Sequence, residues 1–177
     1  MKVLLHSCCA PCSVSCVESL REEGISPVLY WFNPNIHPFS EYRNRRDALV
    51  RFAADERLDL VMEDEYGLHS FIRGVYPDFE KRCPYCYRTR LEAAARYGAE
   101  QGFSHFSTTL LISPYQNHGL IRELGTALGE QYGLGFLYRD FRPLFRPGQQ
   151  KARSLGLYMQ KYCGCVFSEA PDARATG

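Results

Sequence analysis

Eight cysteines in a chain of 177 residues fall into three groups, Cys8, Cys9, Cys12 and Cys16, then Cys83 and Cys86, then Cys163 and Cys165. A lone cysteine is by default a small buried hydrophobe, but thiols gathered in this way point to metal binding or redox work. Neighbouring Cys8 and Cys9 make a poor disulfide with each other, because adjacent residues close that ring only with strain. Cys83-Pro84-Tyr85-Cys86 is a C-x-x-C placed to open a helix, so that both thiolates face one metal. Four thiolates from two such elements can hold zinc or a [4Fe–4S] cluster, and spacing alone does not choose. The clustered thiols exceed what one centre needs, so some serve a second centre, a redox disulfide or no chemistry at all. Cys16 follows Cys12 by one helical turn and is expected to face the core.

These groups need elements to hold them. Val3–Leu5 reads as a buried strand that empties into Cys8-Cys9-Ala10-Pro11-Cys12 and then a helix over Ser13–Glu23, stopped by Gly24. A second apolar strand spans Val28–Phe32, a turn-rich loop follows at Asn33-Pro34-Asn35-Ile36, and a helix over Phe39–Asp55 leads to a brief strand at Leu60–Met62. A short helix plus loop within Tyr66–Glu80 delivers Cys83 and a helix to about Gln101. A strand over Phe106–Leu111, a helix from His118 to Gln131, a short strand at Phe136–Tyr138 and a helix near Gln149–Leu157 complete the series. Strands alternating with helices give an α/β fold with a mostly parallel sheet, helices on both faces and right-handed crossovers. The first cysteine group then sits at the carboxyl end of a strand and the start of a helix, where ligands bind and thiol pKa values fall.

With 45% hydrophobic residues the chain suits one domain, expected over residues 1–169, with a flexible tail at 170–177. Lysine and arginine number 21 against 20 acids, a net charge of +1 that gives no global argument for nucleic acid or a membrane surface. Without a signal-type apolar stretch or a bilayer-length run, a cytoplasmic location with no membrane contact is expected, and in a reducing compartment clustered thiols favour metal or redox use over structural disulfides.

The run Leu5-His6-Ser7-Cys8-Cys9-Ala10-Pro11-Cys12-Ser13 closely resembles the QueH family, the cobalamin-independent epoxyqueuosine reductases. So do Asn33-Pro34-Asn35-Ile36, Arg82-Cys83-x-x-Cys86, Thr108 to Asn117, Asp140-Phe141-Arg142-Pro143 and Tyr158-x-Gln160-Lys161-Tyr162-Cys163-Gly164-Cys165. The resemblance extends from the first strand to about Ser168 without departure in the cysteine motifs. It implies a Rossmann-like domain related to the adenine-nucleotide hydrolases, a [4Fe–4S] cluster with an additional mononuclear iron beside it, and reduction of the epoxide of epoxyqueuosine in a tRNA anticodon loop to give queuosine. A low-potential electron donor is implied as a partner. No glycine-rich phosphate cradle occupies the Cys8–Cys12 turn, which argues against ATP chemistry.

On pairing, Cys8, Cys9, Cys83 and Cys86 are assigned to the cluster. Cys163 and Cys165 are assigned to the second iron, with Asp140 as an oxygen ligand and Cys12 as a competitor; Asp140, Cys163 and Cys165 are the catalytic candidates. Tyr115, Tyr162 and Asp140 are the candidate proton donors, and His6 is either a core residue or part of the site. RNA contact has to be local: Arg43, Arg45 and Arg46, Arg88 and Arg90, and Arg139, Arg142, Arg146, Lys151 and Arg153 are candidate phosphate contacts. Tyr42, Tyr85, Tyr87, Phe141 and Phe145 are candidate stacking platforms. The loops Asn33–Asn35 and Ser113–Asn117 are ordinary turns or readers of an extruded base. Two rival classes remain, a thiol–disulfide oxidoreductase using Cys83/Cys86 or Cys163/Cys165, and a zinc-stabilised RNA-binding module.

Overall fold

Short apolar runs alternating with amphipathic stretches build a single parallel sheet. The computed structural model describes residues 1–170. Its strands β1 (Val3–His6), β2 (Val28–Trp31), β3 (Leu60–Met62), β4 (His105–Thr108) and β5 (Gly135–Phe136) stand in the order β3-β2-β1-β4-β5, all parallel. The helices are α1 (Ala10–Glu22), α2 (Phe39–Asp55), α3 (Leu68–Val75), α4 (Arg82–Glu100), α5 (His118–Tyr132) and α6 (Phe145–Ser154). Right-handed crossovers put α1 and α2 on one face and α4 and α5 on the other. In agreement, α1 packs on α6 and α2, and α4 on α5. This is a Rossmann-like α/β architecture. The central strand β1, covered on both sides, is buried along its whole length, as a parallel strand must be.

Strand order reverses between β1 and β4, which pair from Val3↔His105 to His6↔Thr108. The crevice beyond their carboxyl ends is the switch point at which open α/β sheets bind ligands. Several boundaries differ from the sequence expectation, most by a single residue, and two of the larger differences shape this crevice. α1 starts at Ala10, not Ser13, because Pro11 presets helical φ in the first turn and Cys9 takes the N-cap. β4 stops at Thr108, not Leu111, because the Thr108 hydroxyl accepts a hydrogen bond from the Leu110 N–H and turns the chain into a 3-10 turn over Thr109–Ile112. Away from the crevice, β5 is only Gly135–Phe136, and α6 begins at Phe145, with Pro147 tolerated in its first turn.

One apolar core joins the sheet to α1, α2, α4 and α5, with Leu4, Leu5, Leu20, Leu29 and Leu91 fully buried. A smaller cluster of Phe71, Val75 and Cys165, with Tyr85, Cys86 and Phe167 against it, sits beneath α3 and the start of α4. Cys16 is at 0% exposure, as its helical spacing anticipated. Of the tail expected at 170–177, only Ala170 is among the described residues. No helix among the described residues is long and apolar enough to cross a membrane.

Gly67, at the N-cap of α3, approaches the loop after β2 so closely that an added Cβ would lie 2.3 Å from the Pro34 side chain and 2.8 Å from its backbone. Backbone yields less readily than a side chain, so Gly67→Ala is expected to destabilise the fold by about 1–3 kcal/mol. Denaturant unfolding would check this; an unchanged midpoint would show that the loop moves freely.

Candidate metal centre

The sulfurs of Cys8, Cys9 and Cys12 lie within 4.8 Å of one another, the one group of three or more metal-ligating side chains among the described residues. Their convergence follows from the local fold. Cys8 ends the turn after β1, Cys9 is the N-cap of α1, and Cys12 points back from the first turn of that helix. The Cys8 and Cys9 sulfurs are 3.7 Å apart, close to the roughly 3.8 Å that two thiolates span on a tetrahedral ion with bonds of about 2.3 Å. Thr109, delivered by the early end of β4, donates its hydroxyl to the Cys8 sulfur at 3.4 Å and accepts the Cys8 N–H at 3.1 Å. Gln160 donates its Nε2–H to the Cys9 sulfur at 2.8 Å and to that of Cys12 at 3.5 Å, while its Oε1 is buried without a partner. The Cys12 and Cys9 thiols beside it, with the Thr109 hydroxyl, hold the Cys8 thiol well below its ordinary range against the cost of burial. Three free thiols with one already disposed to ionise suit a thiophilic metal.

Of the five remaining thiols, all but the core residue Cys16 form a second group. Cys83 and Cys86 open α4, and Cys163 and Cys165 come from the segment after α6, with Cys86 and Cys165 in one apolar cluster. The Cys163 and Cys165 sulfurs are 4.0 Å apart, and the Ser168 hydroxyl lies 2.7 Å from the first. The Cys165 thiol, Ser168 and a backbone N–H pull Cys163, which is exposed, down to about 5. Burial pushes Cys86 up to about 11 and raises Cys83 as well, the reverse of the lowered nucleophile that a C-x-x-C disulfide exchanger needs. All eight cysteines are free.

The geometry therefore divides the thiols differently from their pairing in sequence: Cys12 joins Cys8 and Cys9, and Cys83/Cys86 keep company with Cys163/Cys165. Asp140 belongs to neither group. Its carboxylate is engaged by the Arg142 guanidinium at 2.7 and 2.6 Å and by the Arg142 N–H, which hold it at about 2. It is thus ionised at neutral pH and poorly suited to deliver a proton. Tyr115 is 84% exposed, and the Tyr162 hydroxyl is engaged by the His37 carbonyl; no described contact joins either to a thiol.

Two arginines counted in the sequence as candidate RNA contacts lie buried beside the thiols instead. Arg45 is 2% and Arg90 5% exposed. Arg90 acts electrostatically on Cys8, Cys83, Cys86 and Cys163 alike, and its Nε–H donates to the Cys86 carbonyl at 3.2 Å. Arg45 acts on Cys9 and Cys8, pairs with Glu41 at 2.7 Å, and donates to the carbonyls of Tyr162 and Cys163. Two buried cations offset the negative charge that ionised thiols bring into the interior. The only signal in sequence was their i+4 placement, Arg45 after Glu41 and Arg90 after Cys86.

The remaining candidates divide between core and surface. His6, pulled down to about 4 by burial, joins Thr108, the Phe32 carbonyl and Asn33 across the strand ends, and Asn33 donates to the Ser7 carbonyl; both are engaged within the fold. Asn117 caps α5, and Gln116 accepts from Tyr87. Tyr42, Tyr87 and Phe141 are too buried to stack on a base. Arg46, Arg88, Arg139, Arg142 and Lys151 are in ion pairs with acids, whereas Arg43, Arg146 and Arg153 lie exposed.

A doubly wound parallel α/β domain with a cysteine triad at its switch point defines a Rossmann-like protein whose thiols could hold a metal, and a solved structure shares the fold. That structure, described as a predicted subunit of tRNA methyltransferase from Methanocaldococcus jannaschii, superposes with a TM-score of 0.53 at 13% identity over 87% of this chain and 76% of its own. The model of the family described as epoxyqueuosine reductase QueH matches residues 3–171. Proteins of that name from Dehalococcoides mccartyi and Thermotoga maritima are 37% and 36% identical, over 95% and 94% of this chain and 92% and 89% of theirs. The chain belongs to the epoxyqueuosine reductase QueH family.

Proposed function

We propose that this protein is an iron-dependent epoxyqueuosine reductase, which removes the epoxide oxygen of epoxyqueuosine in tRNA as water and leaves an alkene. The step consumes two electrons and two protons, the electrons coming from an external low-potential donor. The observation that carries the reading is the gathering of seven free thiols and two buried arginines at the switch point of the sheet, in a chain of this family.

The donor set fits the metals the family resemblance implies. Cys8, Cys9 and Cys12 would hold the single iron, since their spacing suits one ion and three ligands leave a position open for substrate. Cys83, Cys86, Cys163 and Cys165 would hold the four-iron cluster, each thiolate on a different iron, which requires the Cys163 and Cys165 sulfurs, 4.0 Å apart here, to separate. Such centres, when bound, supply electrons one at a time and a Lewis acid for the departing oxygen. Around them the chain does the rest. Arg90 stands electrostatically between the two groups and stabilises negative charge there. Arg45 pins the backbone at Tyr162 and Cys163, and Thr109 and Gln160 fix the sulfurs by donating to them.

The test is anaerobic purification, iron, zinc and sulfide analysis, and single-turnover reaction of the dithionite-reduced protein with epoxyqueuosine-tRNA, followed by nucleoside mass spectrometry. Sulfide, iron beyond one four-iron cluster and appearance of queuosine are expected. Zinc without sulfide, or no queuosine from fully iron-loaded protein, would sink the proposal. Gln160→Leu gives a finer check, because hydrogen bonds to ligating sulfur raise the potential of a thiolate-bound centre. The midpoint potential is expected to fall by some tens of millivolts at unchanged iron content; an unchanged potential would leave Gln160 a packing residue.

A further inference from the structure

We propose that the cavity between the loop after β2, α3 and the start of α4 seats the epoxide-bearing carbocycle itself, and that Asn35 recognises that ring; the inference rests on the epoxyqueuosine reading above. The cavity has a volume of about 120 Å³. A cavity of about 150 Å³ holds one benzene ring, so this one takes a single small ring and not a nucleoside. Phe32, Phe71 and Tyr85 give it apolar walls, while Cys86 and Arg90 form the side that meets the second thiol group. Whatever ring enters lies beside Cys86, a thiol of the proposed cluster that would supply the electrons, and beside Arg90, which also acts on Cys8 of the triad.

The polar lining selects among rings. Asn35 is 3% exposed, and its Oδ1 has no hydrogen-bond partner. Burying such an acceptor unpaired is costly, and the cost is recovered once the side chain turns its Oδ1, which has almost no accessible surface here, toward a donor supplied in the cavity. Asn33, two residues earlier, shows the contrast: its amide is engaged by Ser7 and His6. The hydroxyl groups of the substrate's cyclopentane ring are donors of the right kind and size. Glu65, exposed and also lining the cavity, places a carboxylate at the mouth, where the secondary ammonium that links ring to base would pass.

The experiment uses iron-loaded wild type, Asn35→Leu, Asn35→Asp and the exposed variant Glu65→Gln. Binding is measured to three tRNAs of one sequence carrying epoxyqueuosine, 7-aminomethyl-7-deazaguanine (base and amine without the ring) or guanosine, together with KM and kcat on the first. For Asn35→Leu we expect KM on epoxyqueuosine-tRNA to rise about 10-fold or more, the scale of a buried acceptor left unpaired, with iron content and affinity for the other two tRNAs unchanged. Asn35→Asp, which keeps an acceptor, should stay within about 3-fold of wild type, and Glu65→Gln should weaken both amine-bearing tRNAs and spare the guanosine one. If Asn35→Leu weakens all three tRNAs equally, the cavity reads the base and the proposal falls; if it discriminates among them as wild type does, Asn35 reads nothing and the proposal falls. Failure of the wild type to convert epoxyqueuosine-tRNA would overturn the functional reading and this inference together, and is separable because it does not depend on the variants.

Discussion

Iron-loaded Cys9→Ser protein is expected to lose the single-iron site and at least about 100-fold in turnover, since even residues that only support a metal ligand cost 10–100-fold when removed. Cys9 is 1% exposed, caps the first helix, and has its sulfur within ligating distance of both Cys8 and Cys12. A serine hydroxyl is nearly isosteric there but stays protonated at neutral pH and is a hard oxygen donor where a soft thiolate is wanted. The fold should survive, because the backbone at the N-cap makes no side-chain cap that serine would break. Cys16→Ala is the contrasting variant: fully buried in the same helix but outside the triad, it should keep its iron and lose about 1 kcal/mol of stability, the scale of one deleted methyl-sized group. Metal analysis and far-UV circular dichroism on both variants separate ligand loss from misfolding. Full iron in Cys9→Ser would remove the triad from consideration as a metal site.

The second large effect belongs to Arg45. Its guanidinium pairs with Glu41, whose other oxygen takes the Tyr158 hydroxyl, and donates to two carbonyls of the segment carrying Cys163. The Arg45 and Glu41 side chains are 3% and 10% exposed, so this is a buried pair. Removing one partner strands the other charge, and Arg45→Met is expected to cost about 3–5 kcal/mol. Glu41→Met/Arg45→Met should recover part of that loss, because taking out both charges leaves none unpaired, although the carbonyls of Tyr162 and Cys163 still lose their donor. Denaturant titrations of the two variants and the parent give the answer. A cost below about 1 kcal/mol for Arg45→Met would mean that water reaches Glu41 and that the pair behaves as a surface bridge. Arg45→Lys should rescue little, since an ammonium cannot reach Glu41 and two carbonyls in the fork geometry a guanidinium offers.

Both arginines look alike in sequence to the arginines around them. Arg43 and Arg46 flank Arg45 on α2, and only the i+4 spacing from Glu41 sets Arg45 apart; the docking of the segment after α6 onto that helix buries it. Arg90 was equally hidden behind Arg88, one helical face away. The assumption that clustered arginines make a phosphate-binding surface therefore failed for the two that matter most to the centre. At Asp140 the local sequence hid a partner instead. Its place in a motif suggested a ligand, but Arg142, two residues on, engages both carboxylate oxygens, a local partner that periodicity does not weigh.

The local elements were largely determined by the sequence alone. α2 and β3 begin and end where their apolar periodicity put them, because burial of a face at period 3.6 or 2 dominates the choice between helix and strand. The presence of thiols at a strand end was also fixed by the run of Val3–Leu5 into Cys8. What only the tertiary structure decided is which thiols meet. Cysteines adjacent in sequence are forced to be near, but the company each group keeps depends on where separate strands and helices dock. The turn at Thr108 brings Thr109 to Cys8, and the return of the chain after α6 brings Gln160 to Cys9 and Cys12, and Cys163 to the neighbourhood of Cys83 and Cys86. Those contacts cross more than a hundred residues in some cases, and their energy comes from packing and buried charge across the whole sheet, which no local pattern of residues encodes.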